Sequence, residues 1–145
     1  MCLELNTDFE RKERHATEDI KCYKVATRWG ENAVMSYYQA FKYILKQLYT
    51  TTINIKLESV VYGPHYIVEE GFHSFTTYDE AYDYWLKTKD CCDVIECVIP
   101  AGSTYYIGRY GYYHSYVSNQ IRLEKIIEND VLLKLCYKPI KVKSV

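Results

Sequence analysis

His73-Ser74-Phe75-Thr76-Thr77 is the densest run of groups able to do chemistry in this sequence, an imidazole that titrates near neutrality followed closely by hydroxyls. A histidine at such a strand edge serves either as a hydrogen-bonding structural group or as a ligand contact. No Ser-His-Asp or Cys-His set can be assigned from spacing, because such sets are defined by geometry, so nucleophilic catalysis is not predicted. A second run, Gly108-Arg109-Tyr110-Gly111-Tyr112-Tyr113-His114-Ser115-Tyr116, joins a fixed cation to aromatic faces and a freely turning backbone. It reads as a loop that holds a phosphate with Arg109 and stacks a ring on a tyrosine, or as a hairpin loop whose tyrosines pack on a sheet. Lys24, Arg28 and Arg122 add positive charge if the fold gathers them.

The elements that must position these groups come from a chain of 145 residues, 48% hydrophobic, enough for one domain with a real core. The first residues, through Asp19, mix Glu10, Arg11, Lys12, Glu13 and Arg14 with few apolar anchors and read as a flexible arm or a lone polar helix. The domain is expected over residues 20–145. Ile20 to Ala26 alternates as a half-buried strand. From Ala33 to Leu48, Val34, Tyr37, Tyr38, Phe41, Ile44, Leu45 and Leu48 stand at helical spacing, while Tyr-Tyr and Phe-Lys-Tyr-Ile favour strand; both readings stay open. Thr50 to Leu57 is β-branched and reads as a strand, and Gly63-Pro64-His65 marks a turn inside a hairpin.

Thr77 and Glu80 have the spacing of a capping box, so a helix is predicted to start there. Tyr78, Ala81, Tyr82 and Trp85 form its apolar stripe, and Asp79 and Asp83 fall outside it. Asp93 to Ile99 is the clearest strand, closed by Pro100-Ala101-Gly102. A short strand at Tyr105 to Gly108, a loop from Gly108 to Ser118, a strand from Asn119 to Ile127, and edge strands at Val131 to Cys136 and Ile140 to Val145 complete the reading.

A net charge of -1 gives no basic balance and argues against a nucleic-acid partner. Apolar runs are far too short to span a bilayer, and the first residues lack the apolar stretch of a secretory signal, so a cytoplasmic, non-membrane protein is expected. The six cysteines show no C-x-x-C pair. They read as free buried thiols rather than as a disulfide framework or metal ligands. Seventeen tyrosines, several of them in pairs, suit a β-core, a stacking surface or an interface, including one between copies of the chain.

Tyr23-Lys24, Gly71-Phe72-His73-Ser74-Phe75-Thr76-Thr77 leading into a helix with Ala81 and Tyr84, Ile99-Pro100-Ala101-Gly102-Ser103 with Tyr105-Tyr106, and Ser118-Asn119-Gln120-Ile121 resemble landmarks of ADP-ribosyltransferase-like domains. The same ordered set is similar to small uncharacterised proteins of bacteriophages and gut Bacteroidetes, and it covers Ile20 to Ile127. The resemblance implies an α+β fold with a mostly antiparallel, split β-sheet and one or two packed helices. It also implies a cleft lined by Lys24, His73, Ser74, Tyr105, Tyr106, Arg109 and Gln120, with Ser74 and Gln120 as the candidate catalytic groups. In that family an early Arg or His grips the dinucleotide and a late Glu polarises the ribose. Here Lys24 replaces the former and loses bidentate phosphate recognition. Gln120, or Asn119, replaces the latter and lacks the charge that stabilises an oxocarbenium-like transition state.

The expectation is therefore a non-catalytic binding protein of phage or mobile-element origin that captures a nucleotide-like ligand or a host protein. NAD or a cyclic nucleotide would be a ligand, not a cofactor, and no metal is expected. The alternatives are a divergent NAD-dependent ADP-ribosyltransferase using Lys24, Ser74 and Gln120 or a displaced carboxylate such as Glu124, and an assembly protein with a tyrosine-rich interface.

Overall fold

Strand-forming sequence dominates the computed structural model, which describes residues 3–36, 41–88 and 93–127. In chain order the strands are β1 (Arg14–His15), β2 (Ile20–Arg28), β3 (Ala33–Ser36), β4 (Lys42–Ile44), β5 (Leu48–Thr50), β6 (Asn54–Ser59), β7 (His65–Glu70) and β8 (Phe72–Phe75). Helix α1 (Tyr78–Thr88) follows, then β9 (Asp93–Ile99), β10 (Thr104–Tyr110), β11 (Tyr113–Ser118) and β12 (Gln120–Ile127). The result is a mostly antiparallel β-sheet with a single short helix among the described residues, an α+β arrangement.

The main sheet runs β1-β10-β11-β8-β2-β9-β12-β5, with β3 and β4 branching from β2. Three strands separate β11 from β12 in this order, yet Asn119 alone connects them in sequence. Laid flat, the two would lie ~19 Å apart across four strand spacings, whereas Ser118 and Gln120 can be no more than ~7 Å apart along the chain. The sheet therefore curls until its two halves face each other. Asn119 fixes the corner: its amide donates to Thr104 O (3.0 Å), its side-chain oxygen accepts from the Thr104 amide (2.9 Å), and its carbonyl accepts from the Thr51 amide (2.8 Å).

Inside the curl lies a core of Cys22, Phe72, Ile95, Cys97, Ile121 and Leu123, closed over by Tyr43. The outer face of β2, β8 and β9 carries Val25, Phe75 and Val94, against which α1 lays Ala81 and Trp85. The stripe predicted for this helix is the one it buries.

The curl has a split. On its β8 side, β2 shares only the Tyr23–Phe75 rung, and from Ala26 onward it pairs with β3 instead. Lys24 sits where the partner changes.

Several expectations are corrected. Residues 3–16 are no flexible arm: Leu3 and Leu5 are fully buried, Glu4 bridges both Ile67 and Arg109, and β1 pairs with β10. Leu3 and Leu5 flank Glu4 with the period of a strand, a signal too short to stand out beside the charges that follow. A Cβ on Gly108 would lie 2.4 Å from the Glu4 carbonyl oxygen, so only glycine admits this segment so close to β10.

Of the two readings open for 33–48, the described residues take the strand one: Val34 and Tyr43 meet as cross-strand partners, where burial outweighs helical spacing. The strand expected at Thr50 to Leu57 is broken into β5 and β6, because Glu70 accepts from Thr51 Oγ1 (2.8 Å), Thr52 Oγ1 (3.0 Å) and Asn54 Nδ2 (2.9 Å) and pins the link as a loop. The loop expected at Gly108 to Ser118 is a regular hairpin. Its two-residue turn is Gly111-Tyr112, and Gly111, at φ 64°, supplies the first position of a II′-type turn. The edge strands expected within 131–145 lie outside the described residues.

Candidate functional site

Register across β8, β11 and β10 decides which candidates meet. Ser74 is opposite Tyr116, which is opposite Ile107; Phe72, Ser118 and Tyr105 share the next rung. Strand alternation therefore puts Ser74, Tyr116, Tyr105 and Arg109 on the inner face of the curl, and Lys24, alternating with Cys22, joins them there. His73 falls in a rung with Val117 and Tyr106 on the outer face. Gln120 precedes the inward, fully buried Ile121 and projects from that outer face as well. The expected cluster is thus divided: Lys24, Ser74, Tyr105 and Arg109 share a face, while His73, Tyr106 and Gln120 occupy the other.

At the deep end of the inner face, the Lys24 ammonium donates to the carbonyl of His73, two residues past the last β8 rung that β2 shares. It also sits 5.5 Å from the centre of the Tyr43 ring. Among the described residues it has no carboxylate partner. Beside it Ser74 Oγ is buried without a hydrogen-bond partner among the described residues. Its polar neighbour is the thiol of Cys22, a weak acceptor and weak donor. A charge short of a counter-ion next to an unsatisfied hydroxyl is an arrangement that an anionic or carbonyl oxygen would complete.

Tyr116 and Tyr105 form the wall, their rings edge to face at 5.8 Å. Burial raises the Tyr116 pKa and keeps its hydroxyl protonated. Toward the rim, Arg109 and His114 are cross-strand partners and border a hollow of about 140 Å³ with Thr7, Phe9, Glu10, Ile107 and Gly108. Arg109 lies 3.5 Å from the Glu10 carboxylate and is largely exposed, so it is not preset to grip a phosphate. Arg28 and Arg122 do not join this face as free charge: Arg28 pairs with Asp93 (3.3 Å) and Arg122 with Glu124 (2.6 Å), which also occupies the carboxylate considered as a displaced catalytic group.

His73 is held neutral. Burial, reinforced by the Lys24 charge, lowers its pKa to about 4, and its imidazole therefore lacks the near-neutral titration that acid/base work needs. Tyr106 on that same face donates to Glu13 (3.3 Å) and ties β10 to the N-terminal residues.

Cys22, Tyr43 and Tyr116 were not predicted as part of the site. Cys22 could have been found from its place two residues before Lys24 in an alternating strand. Tyr43 arrives only because β4 folds over the curl, which no local pattern announces. Among the described residues no group of three or more His, Cys, Asp and Glu side chains could hold a metal ion, and no helix is long and apolar enough to cross a membrane. No protein-family model, curated protein or solved structure matches the chain.

Proposed function

We propose that this protein is a non-catalytic, ADP-ribosyltransferase-like binding protein encoded by a phage or mobile element, which captures a nucleotide-like ligand on the inner face of the curled sheet. The observation that carries the reading is the pair at the split, Lys24 without a carboxylate partner and Ser74 Oγ buried without a hydrogen-bond partner among the described residues. An anionic oxygen of the ligand meets Lys24 and Ser74, a ring stacks on Tyr105 or Tyr116, and Arg109 leaves Glu10 to close on a second anionic group at the rim. The separation of Gln120 from Ser74 onto opposite faces supports binding over transfer, since a group on the far side of the sheet cannot polarise a ribose held beside Ser74.

Calorimetric titration with NAD, ADP-ribose and cyclic nucleotides tests this. At least one ligand is expected to bind, Lys24→Ala to weaken it about tenfold or more, and Ser74→Ala to weaken it while leaving stability unchanged or raised by ~1 kcal/mol, because it removes an unsatisfied hydroxyl. Silence across the panel overturns the nucleotide reading and leaves a host protein as the partner. Nicotinamide release from NAD above that of a Ser74→Ala, Gln120→Ala double variant overturns the non-catalytic one.

A further inference from the structure

Cys22 and Cys97 face each other directly across β2 and β9, both fully buried and both free, each shifting the ionisation of the other. Opposed residues of an antiparallel pair have Cα atoms ~4.5–5.5 Å apart, inside the ~4.4–6.8 Å range that a disulfide spans. Both side chains point into the curl, so their Cβ atoms lie side by side on one face. The two thiols differ in surroundings. Burial pushes the Cys97 thiol well up, and its Sγ donates to Ile95 O at 3.5 Å. At Cys22 burial acts the same way, but contacts from Cys97 and Ser74 and the Lys24 charge outweigh it and hold that thiol below its ordinary range.

We propose that Cys22 and Cys97 form a reversible cross-strand disulfide with a hydroperoxide as oxidant. The Cys22 thiolate attacks one peroxide oxygen, breaks the O–O bond and becomes a sulfenic acid as hydroxide leaves. The Cys97 sulfur then attacks the Cys22 sulfur, the S–O bond breaks, and water departs with the Cys97 proton. The sum is two thiols and one hydrogen peroxide giving one disulfide and two waters. Hydrogen peroxide is little larger than water, and it enters at the β2–β8 seam, which a single rung closes. Oxidation removes the Cys22 thiol from beside Ser74, so the redox state of this pair reaches the inner face of the sheet.

A variant carrying Cys2→Ser, Cys91→Ser, Cys92→Ser and Cys136→Ser keeps this pair alone. Hydrogen peroxide should lower its intact mass by two hydrogens, join the peptides of β2 and β9 in a non-reduced digest, and be reversed by dithiothreitol. Adding Cys97→Ser should stop the reaction at a Cys22 sulfenic acid that dimedone traps, whereas adding Cys22→Ser should slow labelling of Cys97 about tenfold or more. Peptide mapping of peroxide-treated wild-type protein reads the same cross-link without relying on the multiple variant. Oxygen added at Cys22 with Cys97 present and no cross-link overturns the proposal. So does survival of both thiols in folded wild-type protein at a peroxide dose that consumes them in urea.

Discussion

Thr7-Asp8-Phe9-Glu10 and Thr77-Tyr78-Asp79-Glu80 carry the same four-residue pattern and end differently. In the first, Thr7 Oγ1 accepts from the Glu10 amide (3.0 Å) and Glu10 Oε1 accepts from the amides of Asn6 (2.8 Å) and Thr7 (3.0 Å), so the reciprocal box closes, yet only a turn results. In the second, Thr77 Oγ1 accepts from the Glu80 amide (3.2 Å) and the helix runs on to Thr88, but Glu80 turns away from its own cap to accept from the His114 amide and from Thr76 Oγ1. The capping hydrogen bonds thus fix a first turn and nothing more. What continues it is the stripe of Ala81, Tyr82 and Trp85, which the sheet buries; Arg11 to Arg14 offer no equivalent.

Both glutamates reach the same rung of the β10–β11 hairpin, Glu10 toward Arg109 and Glu80 toward His114. One clamps the hairpin from the N-terminal turn and the other from the helix.

The largest effect should come from removing what separates the two regions. Trp85→Ala leaves the Thr77 cap intact but deletes the buried end of the stripe, and is expected to cost about 3–5 kcal/mol in urea unfolding. A loss below about 1 kcal/mol would mean that capping, not burial, sustains α1.

Next in size is a pH effect at His73, which shares the outer face with Val117 of the N-terminal core and Phe75 of the helical one. Its folded pKa of about 4 lies below the ordinary 6.5, so the fold holds the neutral imidazole. The stability this contributes is full above about pH 6.5 and is lost as pH falls through 4, by up to ~3 kcal/mol. His73→Asn should flatten that part of the urea-midpoint profile between pH 4 and 7; equal slopes for the variant and the parent would remove His73 as the cause.

The smallest effect concerns the two clamps. Glu10→Ala should cost ~1–2 kcal/mol through the Asn6 and Thr7 amides, and Glu80→Ala ~1 kcal/mol through the His114 amide. Because the two meet at one rung, the double variant should depart from additivity by ~0.5 kcal/mol or more. Strict additivity would show that the hairpin does not couple them.

Local pattern located most elements. Residue types alone placed the alternating strand at Ile20, the strand from Asp93 to Ile99 and the capped helix with its stripe, since each is fixed by a period and by nearest-neighbour hydrogen bonds. A hairpin loop with tyrosines packed on the sheet was one reading of Gly108 to Tyr116, but the loop-like composition hid that its strands run on to a two-residue turn at Gly111-Tyr112. The N-terminal segment was hidden because two leucines carry its whole signal.

For the site, the sequence by itself determined that Lys24 shares a face with Cys22, because strand alternation is a local rule; it grouped His73 with Ser74 in one cleft, and only the register of β8 against β11 put them on opposite faces. It could not determine which faces become one. That was decided by the curl at Asn119 and the split between β8 and β3, contacts between residues far apart in sequence that bring Lys24 to Ser74 and leave His73 and Gln120 outside.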